Sequence, residues 1–123
     1  MARILLIDDN PQFRHEICLG LVDAGHRVTE ASNEREGLKA FKSENPDIII
    51  TDVVMDEGQG VETMRGIHQL APAATVIAIS AHATYLEPMK KLGAARTLLK
   101  PFRMLVLIET IDEVLAALPP RLL

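Results

Sequence analysis

Apolar residues recur along this chain in two rhythms. Five short runs are rich in strand-forming residues: Arg3–Ile7 ("RILLI"), Arg27–Ala31, Asp47–Thr51 ("DIIIT"), Thr75–Ser80 ("TVIAIS") and Arg96–Leu99. The first and third show no polar alternation, the pattern of parallel strands covered on both faces. Between the runs the spacing shifts to a helical period. Phe13, Ile17 and Leu21 fall one turn apart, behind Asn10 as a cap and Pro11 in the first turn, and Gly25 is placed to stop the helix. A second helix is predicted from about Asn33 to Ser43, burying Leu38 and Phe41 and ended by Asn45–Pro46. A third carries Val61, Met64 and Ile67 as far as the "APA" at 71–73, and a fourth covers Thr84–Leu92 up to Gly93. The last puts Leu105, Ile108, Ile111 and Leu115 on one face until Pro119–Pro120, leaving Met104, Leu107 and Val114 off that stripe for a partner.

The order is (βα)5, and each crossover is long enough for a right-handed βαβ unit. The expected α/β fold is a single doubly wound five-stranded parallel sheet. One domain is expected over residues 1–123, with its core at about 3–118 and a short tail at 119–123.

Composition narrows the function more than the fold. Apolar residues make up 48% and no run approaches the roughly 20 needed to span a bilayer, so no membrane is expected. "MARILLIDD" meets acid after four apolar residues, which is not the pattern of a secretory signal. The lone Cys18 has no internal disulfide partner; it is expected as core filler, in a reducing cytoplasm. A net charge of −4 and 3% aromatics offer neither a basic field nor a stacking platform, so no direct nucleic-acid contact is expected. His15, His26, His68 and His82 have no metal-ligand spacing and are expected at surface or half-buried positions. "GQGVET" at 58–63 lacks the third glycine of a dinucleotide loop and sits among acids.

The chemistry gathers at the strand ends, where ligands bind in open α/β sheets. The first strand runs into Asp8–Asp9, the third into Asp52, the fourth into Ser80 and the fifth into Lys100. Paired carboxylates at the end of a core strand resist leaving water. If Asp8, Asp9 and Asp52 converge, each pair at ~4 Å repels by about 4 kcal/mol at an effective dielectric of about 20. A hard divalent cation answers that repulsion, and Mg²⁺ is commonly held by one or two carboxylates, waters and a phosphate. Lys100 and the Ser80 hydroxyl add a charged and a neutral donor, a set suited to a phosphoryl group.

With "DD" at 8–9, Asp52 after "DIIIT", Ser80 followed by Ala81, and "KPF" at 100–102, the chain resembles the receiver domains of two-component response regulators. The likeness spans residues 3 to about 118. It implies the flavodoxin-like fold of the chemotaxis regulators, with strand order 2-1-3-4-5. It also implies Asp52 as phosphoacceptor and Mg²⁺ ligand, Asp9 as a direct metal ligand, Asp8 acting largely through water, and Val54 supplying a backbone carbonyl. Ser80 and Lys100 would each hold a phosphoryl oxygen, and Lys100–Pro101 is expected to be cis. The implied partners are a histidine kinase or histidine phosphotransfer protein and an output protein, for a monomer or weak dimer.

Three places depart from the family pattern. Asp56 stands where a proline is common, in the loop "VVMDEGQG"; the segment from Ser80 to Gly93 is about two residues short, with Pro88 in the fourth helix; and Thr97 stands at the switch aromatic's position. All three bear on signal output more than on phosphoryl chemistry. The alternatives differ in chemistry. An aspartyl-phosphate phosphatase of the haloacid dehalogenase type needs a second Asp two residues after the nucleophile, where this chain has Val54. A flavodoxin would not place acid beside a flavin phosphate. A phosphorylation-independent binding module is the remaining alternative.

Overall fold

The strand β1 (Arg3–Ile7) is buried at every residue after Arg3, because helices cover the sheet on both sides. The computed structural model describes residues 1–53 and 59–118. After β1 come α1 (Pro11–Asp23), β2 (Arg27–Ala31), α2 (Glu34–Glu44), β3 (Ile48–Asp52), α3 (Gln59–Leu70) and β4 (Val76–Ser80). A single 3-10 turn (Ala83–Tyr85) leads into the short α4 (Leu86–Lys91), followed by β5 (Arg96–Leu99) and α5 (Met104–Ala117). All pairings are parallel and the order is β2-β1-β3-β4-β5, as expected. The third strand lies one residue later than the apolar run suggested, so Asp52 is its last residue and is buried.

Alternate residues of each strand feed two cores. Ile4, Leu6, Ile48, Ile50, Ile77 and Ile79 meet α1 and α5. Leu5, Ile7, Ile49, Val76 and Ala78 meet the opposite helices, through Met64 and Ile67 of α3 and Leu86 and Met89 of α4. The side chain of Val61, expected beside Met64, lies outside the described part of the structure.

Local signals set the helix ends. The Asn10 side chain accepts the Phe13 amide at 3.1 Å, with Pro11 opening α1, and Asn33 accepts the Glu36 amide at 2.9 Å at the start of α2. Asn45 closes α2 at φ 48°, while Gly25 (φ 96°) and Gly93 (φ 108°) supply the left-handed turns after α1 and α4. Pro88 is the third residue of α4, where its missing N–H has no intrahelical acceptor to lose.

The expected apolar stripe of the last helix is also corrected. The last helix buries Leu107, Thr110, Ile111 and Val114, while Leu105 is 63% exposed. Leu107 and Val114 are therefore core residues, not partner contacts, and Met104 packs against the core beside Gly20. The helix carries two neighbouring apolar stripes, and packing against the sheet chooses between them. Thr110 tolerates burial because its hydroxyl donates to the Val106 carbonyl at 2.7 Å.

Candidate functional site

The carboxyl edge of the sheet brings together residues far apart in sequence. Central strands β1 and β3 end side by side, which sets Asp8 and Asp9 next to Asp52. Carboxylate oxygens from the three lie within 4.8 Å of one another. Asp8 is fully buried, Asp52 is 6% exposed and Asp9 faces solvent.

Lys100, just past β5, reaches across β4 into this group. Its Nζ donates to Asp52 Oδ2 at 2.8 Å and to Asp8 Oδ2 at 3.0 Å. Burial pulls the ammonium toward deprotonation, but its hydrogen bonds to Asp52 and Asp8 and the charges of both outweigh that. The net effect holds the Lys100 pKa above the ordinary lysine value. The same ammonium lies 4.1 Å from the centroid of the Phe13 ring. Phe13 in turn meets Phe102 edge-on, with centroids 6.1 Å apart. The Lys100–Pro101 peptide bond is cis.

Residues behind the carboxylates fix their backbone. The Asn10 amide donates to Asp8 Oδ1 at 2.9 Å, and Arg14 Nη1 donates to the Asp8 carbonyl at 2.8 Å. Arg14 Nε also donates to Glu30 Oε1 at 2.9 Å, which ties α1 to β2. Burial would raise the Glu30 pKa, but hydrogen bonds from Arg14, His15 and Cys18 lower it overall. Cys18 itself is pushed up by burial and by Glu30, which leaves it a poor nucleophile.

Ser80 occupies the end of β4 and is fully buried. Its hydroxyl accepts the His82 amide at 3.0 Å, and its carbonyl accepts the Lys100 amide at 2.7 Å. It thus shares the sheet edge with the carboxylates while its hydroxyl is engaged by its own loop. Val54, expected to offer a carbonyl to a metal, lies outside the described residues, as does Asp56. Thr97 is half-buried in β5 opposite Ala78, and Tyr85 is 48% exposed with its ring edge-on to His82.

The donor set fits a hard cation. Mg²⁺ takes oxygen ligands at about 2 Å, so opposite ligands stand about 4 Å apart. Three carboxylate oxygens within 4.8 Å, one of them reaching solvent, suit such an ion with water completing its shell. The sequence did not mark Phe13, Asn10 and Arg14 as site residues. Phe13 sits on the same stripe as the core residues Ile17 and Leu21, and nothing local signals its contact with Lys100.

Comparison with known proteins follows the same lines. The family model described as the response regulator receiver domain matches residues 4–112. The chain is 32% identical over 116 residues to the chemotaxis protein CheY of Thermotoga maritima, covering 91% of this chain and 96% of that protein. It is 31% identical over 121 residues to the transcriptional regulatory protein GlrR of Escherichia coli, covering 97% of this chain but only 27% of that protein's length. The crystal structure of the response regulator protein TrrA from Thermotoga maritima, in complex with Mg²⁺–BeF, superposes with a TM-score of 0.84 at 30% identity. That match covers 93% of this chain and 99% of TrrA.

Proposed function

Since the chain belongs to the response regulator receiver domain family, we propose that it takes a phosphoryl group from a phosphohistidine onto Asp52 and thereby changes its protein contacts. The observation that carries this reading is the Lys100 ammonium bridging Asp8 and Asp52, with Asp9 alongside, at the carboxyl edge of the sheet.

In this reading a carboxylate oxygen of Asp52 attacks phosphorus, a P–O bond forms, and the P–N bond breaks with its electron pair leaving on the donor imidazole. Asp8, Asp9 and Asp52 would hold Mg²⁺, with the Val54 carbonyl as a further ligand. When bound, that ion supplies positive charge to the incoming phosphoryl oxygens. Lys100 holds one phosphoryl oxygen. Ser80, whose hydroxyl oxygen accepts the His82 amide, keeps its own proton to donate to another. The acyl phosphate then draws the loop after β4 inward, and that motion is the switch.

The donor is a histidine kinase or a histidine phosphotransfer protein, in the cytoplasm. The chain spans about a quarter of GlrR and nearly all of CheY. The output partner is therefore proposed only as a protein surface sensitive to the β4–α4 loop. Titration with Mg²⁺ and beryllofluoride, followed by NMR, tests the reading. Amide shifts centred on Asp52, Ser80 and Lys100 are expected. Shifts absent there, or independent of Mg²⁺, favour the phosphorylation-independent binding module.

A further inference from the structure

The Lys100 ammonium has two kinds of neighbour. On one side are Asp52 Oδ2 and Asp8 Oδ2, at 2.8 and 3.0 Å. On the other is the Phe13 ring, at 4.1 Å to its centroid. Phosphorylation would change the carboxylate side, because the Asp52 carboxylate becomes an acyl phosphate and a phosphoryl oxygen takes over as the acceptor. The ring side would not change. A ring face carries the negative part of the aromatic quadrupole, and a partly desolvated ammonium is drawn to it whatever the carboxylates are doing.

The ring is itself held. The Phe13 amide is bound by the Asn10 cap, which fixes the first turn of α1 beside the end of β1. Phe102 meets Phe13 edge-on at an interplanar angle of 87°, two residues beyond Lys100. The ring therefore sits between the start of α1 and the segment after β5, and both flanking rings pack against the α1/α5 core. A side chain placed only to fill space would not need its ring face on the ammonium.

We propose that Phe13 is a positioning residue for phosphoryl transfer. Its ring face holds the Lys100 ammonium in place while the acceptor changes from the Asp52 carboxylate to a phosphoryl oxygen. The proposal rests on Asp52 being the phosphoacceptor.

The test compares Phe13→Leu, which keeps apolar bulk without a π face, with Phe13→Tyr and Phe13→Trp, which keep the face. In metal-free protein, the ε-protons of Lys100 should be displaced upfield by the ring in wild type and in the Tyr and Trp variants. They should return toward the ordinary lysine position in Phe13→Leu. With Mg²⁺ and acetyl phosphate, Phe13→Leu should phosphorylate about 3- to 30-fold more slowly than wild type, and the aromatic variants should recover the rate. Circular dichroism and the urea midpoint show whether each variant is folded; if Phe13→Leu is not, Phe13→Met takes its place. An unshifted Lys100 in wild type, or equal rates for Leu and Phe, overturns the role of Phe13 while Asp52 labelling stands. Wild type that takes no phosphate on Asp52 overturns the phosphoacceptor reading as well, and the proton shifts then report the Phe13–Lys100 contact alone.

Discussion

The Lys100 ammonium lies 2.8 Å from Asp52 Oδ2, so the end of β5 is joined to the end of β3 across β4. This contact closes the acidic edge of the sheet. It also places a cation where phosphate would arrive, and it makes Asp52 the carboxylate to test first. Asp52→Asn should abolish the single phosphate added by acetyl phosphate and Mg²⁺, as read by mass spectrometry. Full labelling of that variant would place the acceptor elsewhere.

Removing the cation should expose the repulsion it relieves. Lys100→Met keeps most of the apolar stem but leaves the buried Asp8 beside Asp52 without its ammonium. Urea unfolding in EDTA should show a loss of about 3–5 kcal/mol. Millimolar Mg²⁺ should restore part of it by binding the folded state only. An equal loss with and without Mg²⁺ would separate Lys100 from the carboxylates proposed to hold the ion.

His26 sets a pH dependence remote from that edge. It is buried at 9% exposure, not at the surface or half-buried position expected for it, and its Nδ1 accepts the Ala2 amide at 3.0 Å, which requires that nitrogen to be unprotonated. Burial, and then the positive N-terminus, lower its pKa below the ordinary value, outweighing the opposing charge of Asp112. The unfolded chain therefore binds the proton more readily. The stabilisation is present above about pH 6.5 and is lost as pH falls through the lower folded pKa. His26→Gln, which can still accept from Ala2, should flatten the stability profile between pH 7 and 5. A profile identical to wild type would remove His26 as its source.

Gly93 combines two constraints. It has φ 108°, and a Cβ built there would come within 2.6 Å of the His68 ring. Gly93→Ala should therefore cost about 1–3 kcal/mol by urea unfolding. Adding His68→Ala should recover the steric part and leave the backbone part. No recovery would assign the whole loss to φ.

The switch should act through the segment after β4. Thr97 is too small and too stiff at χ1 to follow Ser80 inward, and α4 has only six residues behind a single 3-10 turn. Amide exchange with and without beryllofluoride should change mainly over residues 82–93. Unchanged protection there would show that this receiver transmits its signal by another path.

Much of this arrangement was legible because local physics decided it. Continuous apolar runs marked strands covered on both sides, and Asn10, Asn33, Gly25 and Gly93 marked the helix ends found in the structure. The acids at the strand ends needed only the topology to converge. The phase of α5 was not legible, since Leu105–Ile108 and Leu107–Ile111 form adjacent stripes of similar hydropathy and only the sheet selects one. Phe13 over Lys100 was hidden for a related reason. An aromatic at helical spacing reads as core until β5 brings the ammonium to it.

Lys100 is separated from Asp8 by 92 residues and from Asp52 by 48. It also follows the last strand of the sheet in chain order. A ribosome-bound chain therefore exposes the acidic residues before the lysine that completes their site. Until β5 docks, such a chain has Asp52 but not the ammonium that pairs with it, and the long-range closure comes late and at an entropic cost. On the proposed function, competence to receive a phosphoryl group would therefore follow completion of the sheet.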